Sequence, residues 1–231
     1  MRKSLILICL IFISISHKVT SQNQQVINKI DPLFQNNDLF LSKDSSLDNI
    51  EGSPFLTDYW NEGIITTKSG TIFTDIKLKY DSYIDELLAK KSNRSIVVPK
   101  AMVKSFQYKD SLNDKDIYFQ LGNNNIYKHQ IFEDDQLTIT KTYNAQIVKA
   151  LPKTNPYSAA TPSKDKMLIN AMYIFGYEDG TKLETKGSFN DFYRKWPKQK
   201  KILKKFIKDN KIKGESDEDW IKVATYLVDK D

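Results

Sequence analysis

The sequence predicts a single α+β domain. It is an antiparallel meander of about ten strands, forming a curved sheet or partly closed barrel, with two or three C-terminal helices packed on it. Three observations carry this reading. Short apolar stretches of period two, separated by Gly, Asn, Asp and Pro turn signals, run from Gly63 to Lys186. After Ser188 the apolar spacing changes to the helical period. The length suits one hydrophobic core and needs no internal staple.

The N-terminal residues read as a signal peptide over 1–21. Arg2 and Lys3 form a positive start, and Leu5 to Ile15 form an apolar stretch interrupted only by Ser14. That stretch is shorter than the roughly 20 apolar residues a membrane span requires. Val19-Thr20-Ser21 then sets compact residues where a signal peptidase needs them, so cleavage is expected between Ser21 and Gln22. Cys9 follows Ile8 rather than a small residue, which does not fit a lipoprotein signal. Cleavage would remove Cys9 and His17, leaving a chain without thiols and with one imidazole, His129. Disulfides, thiol nucleophiles and sites needing two histidines from one subunit are excluded on that expectation. The domain plan is then a polar N-terminal arm over 22–51 and one domain over 52–231, with the meander in 52–187 and the helices in 188–231.

The arm is polar, with Asn36-Asn37-Asp38 and Ser42 to Ser46 flanking Leu39-Phe40-Leu41, and is expected to have little structure of its own. The domain opens on Gly52-Ser53-Pro54-Phe55-Leu56. Phe55, Leu56, Tyr59 and Trp60 are large enough to plug one end of a sheet. Gly63 to Thr67 turns at Lys68-Ser69-Gly70 into Thr71 to Tyr80, where Ile72, Ile76, Leu78 and Tyr80 are expected to face inward. Ser82 to Lys91 suits one helical face through Ile84, Leu87 and Leu88, but closely flanking strand signals favour a strand. Ile96 to Pro99, Met102 to Tyr108 and Asp116 to Leu121 continue the set. Gly122 to Asn125 turns into Ile126 to Phe132, and Glu133 to Gln136 turns into Leu137 to Tyr143, followed by Gln146 to Ala150.

Leu151 to Lys166 holds Pro152, Pro156 and Pro162 without apolar periodicity; such a loop is either functional or disordered, and disorder is favoured. Met167 to Tyr177 is nearly all apolar and reads as a central strand covered on both faces, with Asp179-Gly180 as its hairpin turn. Leu183 follows pointing inward, between outward Lys182 and Glu184. Ser188 is placed to cap a helix over Phe189 to Trp196. Pro197 then opens a second helix, to about Asn210, with Ile202, Leu203, Phe206 and Ile207 as its apolar face. Ser216, followed by Asp217, Glu218 and Asp219, opens a third, with Trp220, Ile221, Ala224, Leu227 and Val228 on one face.

Losing Arg2, Lys3 and Lys18 with the leader lowers the formal charge from +6 to +3, and leaves Arg94 and Arg194 as the remaining arginines. Base and phosphate recognition rely on the planar arginine fork, so specific nucleic-acid reading is not expected. His129 lies in a strand, with no G-x-S-x-G elbow to supply a serine partner. Asp110, Asn113, Asp114 and Asp116 lack the spacing and glycine of a calcium loop. Glu133-Asp134-Asp135 and Glu178-Asp179 sit on turns, where a glycosidase would need acids facing one another across a cleft. Arg194, Lys195, Lys198, Lys200, Lys201, Lys204, Lys205 and Lys208 read as a solvated face rather than a lipid or phosphate contact. No catalytic, cofactor or metal site is expected; the processing residues Ser21 and Gln22 are the sites predicted.

The Gly52-Ser53-Pro54-Phe55-Leu56 segment, the Gly70 to Tyr80 strand ending in Tyr80-Asp81, and short helices after a long meander together resemble a group of uncharacterised exported proteins of Gram-negative bacteria. The resemblance covers most of the processed chain. It implies a secreted or periplasmic β-rich fold and brings no activity or catalytic residues. The expected function is that of an exported, soluble envelope protein binding an apolar or polymeric ligand, or a protein partner, through the concave face of the sheet, without catalysis. A carboxylate-dependent hydrolase of envelope polymers and a lipid or lipoprotein carrier are the alternatives.

Overall fold

The computed structural model describes residues 32–35, 47, 49–150, 164–197 and 200–229. Among these residues, ten strands form one sheet. The first five are β1 (Asn61–Thr67), β2 (Ile72–Asp81), β3 (Glu86–Lys91), β4 (Arg94–Val97) and β5 (Val103–Asp110). They are followed by β6 (Lys115–Leu121), β7 (Tyr127–Glu133), β8 (Leu137–Val148), β9 (Lys166–Tyr177) and β10 (Lys182–Thr185). The helices are α1 (Pro32–Gln35), α2 (Phe189–Lys195), α3 (Lys200–Asp209) and α4 (Asp217–Val228). Among the described residues, no helix is long and apolar enough to cross a membrane.

The strand order is β10-β9-β8-β7-β6-β5-β1-β2-β3-β4, every pair antiparallel, and the sheet does not close. The meander is broken once, where β4 at the edge leads into β5 beside β1. Four inter-strand spacings cover roughly 19 Å in a flat sheet, before any displacement along the strands. The chain from Val97 to Val103 reaches at most about 22 Å. The short link therefore demands a sheet that curls toward itself. Val98 and Val103 are buried at its two ends, and Lys100 ties it to Asp85 at 2.5 Å and to the Asn125 carbonyl at 3.2 Å. The curl also brings the Ser82 carbonyl to the Ala145 amide at 2.9 Å, capping β8 beyond the start of β7.

Two cores share the inner face of this sheet. The first gathers Tyr80, Phe106, Tyr108, Phe119 and Tyr127 with Leu33 and Phe34 of α1, and Tyr143 packs against it. Ring centroids there lie 4.7 Å apart for Phe106–Phe119 and 4.8 Å for Tyr80–Phe119. The second joins Leu137, Ile139, Tyr173 and Phe175 to Phe192, Leu203, Trp220, Val223, Ala224 and Leu227 of the three C-terminal helices. β8 feeds both: Leu137 and Ile139 enter the helical core, while Tyr143, of the same parity, packs on the aromatic one.

Several local expectations change for identifiable reasons. In β2 the inward set is Phe73, Ile76, Leu78 and Tyr80, not Ile72. A bulge moves the parity: Gly63 pairs with Ile76 but Ile65 with Phe73, and Asp75 takes a left-handed φ of 56°. Gly63 is required opposite it, because a Cβ there would stand 2.6 Å from both the Gln107 carbonyl oxygen and Leu78 Cδ1. Ser82 to Asp85 form a turn, and the predicted strand begins at Glu86. The segments expected over 137–143 and 146–150 are one strand, β8. β9 is covered on one face only, since Leu168 is exposed and Met172 and Ile174 are half-buried on the other. Ile202 is exposed, leaving Leu203 as the buried anchor of α3. α4 buries Val223 in place of Ile221 and Val228. Ser188 stands at the N-cap of α2 without a side-chain bond, whereas Ser216 accepts the Asp219 N–H at 3.2 Å. In the arm, Pro32–Gln35 forms a helical turn with Leu33 and Phe34 buried, where little structure is expected from sequence.

The signal peptide, the Ser21–Gln22 junction, Asn36 to Ser46, Leu151 to Ser163 and Lys198 lie outside the described residues.

Candidate binding site

A polar seam separates the two cores. Register sets Phe119 opposite His129, His129 opposite Lys141, and Lys141 opposite Tyr173, so one row of side chains crosses β6 to β9. Lys141 has inward parity, between Ile139 and Tyr143, on a strand otherwise apolar there. Its Nζ sits 5.2 Å from the Tyr143 ring centroid and 4.9 Å from that of Tyr173. Asp217, in the first turn of α4, receives Lys141 Nζ at 3.0 Å and the Tyr173 hydroxyl at 2.7 Å on one oxygen. Lys115 approaches the other oxygen at 3.6 Å and donates to Glu218 at 2.6 Å. Burial alone would raise the Asp217 carboxyl, but the Lys141 charge and these hydrogen bonds outweigh it and hold it below the ordinary carboxylate value.

His129 completes the seam. It is buried beside Phe119, and its Nδ1 is hydrogen-bonded to the Tyr143 hydroxyl at 2.7 Å. Burial pushes its pKa down to about 4, against the pull of Asp217 and with the help of Lys141 and Lys115. The ring is thus neutral near pH 7, and with Tyr143 it forms a neutral hydrogen-bonded pair. The seam's charges and hydroxyls engage one another and fasten α4 to the sheet.

Beside the seam opens a cleft of about 630 Å³ between β8, β9 and the turns before α2 and α4. Lys141 and Tyr173 form one wall; Asn144, Asn170, Lys186 and Glu215 are exposed at its mouth. Gly187 and Gly214 line it without side chains. The cleft offers amides, both signs of charge and a tyrosine edge beside the apolar Ile169, Ala171 and Met172, a surface suited to a polymeric or peptide ligand.

The residues singled out from sequence fall elsewhere, His129 excepted. Asp110 is buried and organises its own hairpin, accepting the Tyr59 hydroxyl, the Leu112 and Asn113 amides and Asn113 Nδ2. Asp114 and Asp116 are exposed. Glu133 is exposed at the end of β7, and Asp134, Asp135, Glu178 and Asp179 are exposed in the connections between strands. The buried Asp81 accepts the Tyr83 and Ile84 amides, and burial raises its pKa. Among the described residues, no group of three or more His, Cys, Asp or Glu side chains is placed to hold a metal ion. Lys200, Lys201, Lys204, Lys205 and Lys208 line the exposed side of α3. Of the aromatic segment after Gly52, Leu56 packs on the first core, while Phe55 and Trp60 flank the buried Lys79 at 4.7 and 5.6 Å.

Sequence reasoning missed Lys141, Tyr143, Tyr173 and Asp217 as a group. The usable signal was a lysine of inward parity in Ile139-Thr140-Lys141-Thr142-Tyr143; an inward cation requires a buried anion from elsewhere in the chain. No family model matches the chain, and neither a curated protein nor a solved structure shows significant similarity to it.

Proposed function

We propose that this is an exported envelope protein that binds a polymeric ligand or a protein partner without catalysis, through the cleft beside Lys141 and Tyr173. The observation that carries the reading is the contrast between the seam and the cleft. The chemically capable groups (His129, Lys141, Tyr173 and Asp217) are spent on one another, whereas the adjoining opening presents exposed amide and charged side chains. An apolar ligand within the curled sheet has less support, since aromatic side chains fill that space. Export rests on the charged start, the apolar stretch and the Val19-Thr20-Ser21 junction.

The test is native mass spectrometry of the protein recovered from the exported fraction of its own cells. A chain beginning at Gln22 and carrying a non-covalent adduct is expected. Asn170→Tyr together with Glu215→Arg, which crowd the cleft mouth, should weaken that adduct about tenfold, an amount set by a few lost polar contacts. Material retaining Met1 would refute export, and an adduct indifferent to the crowded mouth would refute the site.

A further inference from the structure

The cleft lies where the sheet runs out of strand. In β9 the odd-numbered residues turn their backbone groups away from β8: Tyr177 N–H bonds the Thr181 carbonyl, and Met167 N–H bonds the Glu51 carbonyl at 2.8 Å. The even-numbered residues face β8, as the Glu178 N–H to the Gln136 carbonyl shows at the end of the ladder. β10 stops at Thr185, opposite Tyr173, and Glu51 bridges the other end beside Lys166, donating to the Asp165 carbonyl and accepting the Met167 N–H. Between these two points, the N–H and C=O groups of Ile169 and Ala171 point into the open edge, and no described residue pairs with them. The opposite edge of β8 has the same problem and solves it with Ser82. β9 has no such cap.

Resting on the reading of the cleft as a binding site, we infer that its partner is an extended peptide segment of another protein, added as a strand along Leu168–Met172. An open edge of backbone donors and acceptors in strand register is complementary to another extended backbone. From Met167 to Tyr173 the edge runs about 20 Å at strand rise, room for a short strand rather than a folded surface. Gly187 and Gly214 line the approach without side chains. On the outer face Leu168 is 47% exposed and Met172 is half-buried; on the inner face Ile169 is 36% exposed beside Ala171. Both faces thus offer apolar neighbours, so the peptide carries apolar side chains, with polar contacts to Lys186 and Glu215 at the rim.

The processed full-length protein is panned against a phage-displayed library of random peptides. Recovered peptides rich in apolar residues are expected, and each is resynthesised with single N-methylated amides. Methylation at alternate positions should weaken binding about tenfold, and at intervening positions little, because only every second amide of an added strand faces β9. Ala171→Pro removes an N–H that β8 does not use, and should weaken the same peptides about tenfold with circular dichroism unchanged. Ile169 and Ala171 amides should exchange quickly in the free protein and slowly with peptide bound. Recovery of no peptide, or N-methyl effects without alternation, would refute strand addition while leaving the native adduct at the cleft to be judged by the crowded-mouth variant. Slow exchange at both amides in the free protein would refute the open edge itself.

Discussion

Burial takes the His129 imidazole from its ordinary pKa of 6.5 down to about 4. Between those values the unfolded chain holds a proton that the folded chain does not. Stability is therefore complete above pH 6.5 and is lost as the pH falls toward 4. The full span is on the order of 3 kcal/mol, a large share of a domain's total. Asp217 acts in the same direction but lower: its depressed pKa contributes stability above the ordinary carboxylate value and loses it in stronger acid. Urea midpoints are expected to drop steeply from pH 7 to pH 4.5 in the native protein. His129→Gln, which keeps a polar partner for Tyr143 and cannot titrate, should flatten that drop. Equal slopes in the two proteins would place the acid sensitivity elsewhere. At this scale the sequence was half legible. His129 stands out because the chain has only two histidines, yet its environment is assembled from Phe119 on one strand and from Lys141 and Tyr143 on another.

α4 docks through its first turn. Ser216 caps the Asp219 amide, Asp217 takes Lys141 and Tyr173, and Glu218 takes Lys115. The capping serine and the run of acids could be read from local rules, because a helix start satisfies its own amides and dipole. The acids' partners could not, since Lys115 and Lys141 lie on strands far away in sequence. Ser216→Ala should cost about 1 kcal/mol. Asp217→Asn should cost more, about 2 kcal/mol or above, because it leaves Lys141 between two aromatic rings without its counter-charge. Thermal midpoints of the two variants give the order, and Ser216→Ala being the more damaging would contradict the seam. Turns flanking the strands were similarly legible through Gly70, Asn125 and Gly180, each in the left-handed region. The parity of β2 was not, because a bulge at Asp75 depends on what Gly63 offers across the ladder. The one-sided covering of β9 was not legible either, because an apolar run shows how much surface avoids water and not whether a second layer exists.

At the scale of the whole molecule, the described residues form one sheet with two cores. Because β8 supplies Leu137 and Ile139 to one and Tyr143 to the other, neither core can be lost without disrupting the strand that bounds both. Unfolding is expected as a single transition. In a Trp60→Phe variant, tryptophan fluorescence reports Trp196 and Trp220 in the helical core, while far-UV circular dichroism is dominated by the sheet. The two urea curves should coincide; separated midpoints would show that the helical layer opens independently. The strand count and the helical layer followed from period and turn chemistry. The pairing of β5 with β1 did not, since nothing local to either strand identifies a partner across three intervening ones.

That pairing constrains the order in which the fold can be completed. β1 is flanked by β2 on one side and by β5 on the other, so a nascent chain halted before Val103 holds its first long strand with one side bare. Folding waits on a distant segment, which puts this topology among the slow, millisecond-to-second class. Until residue 110 has emerged, that bare flank is a sticky template, and a holdase that keeps the chain extended up to that point would protect it.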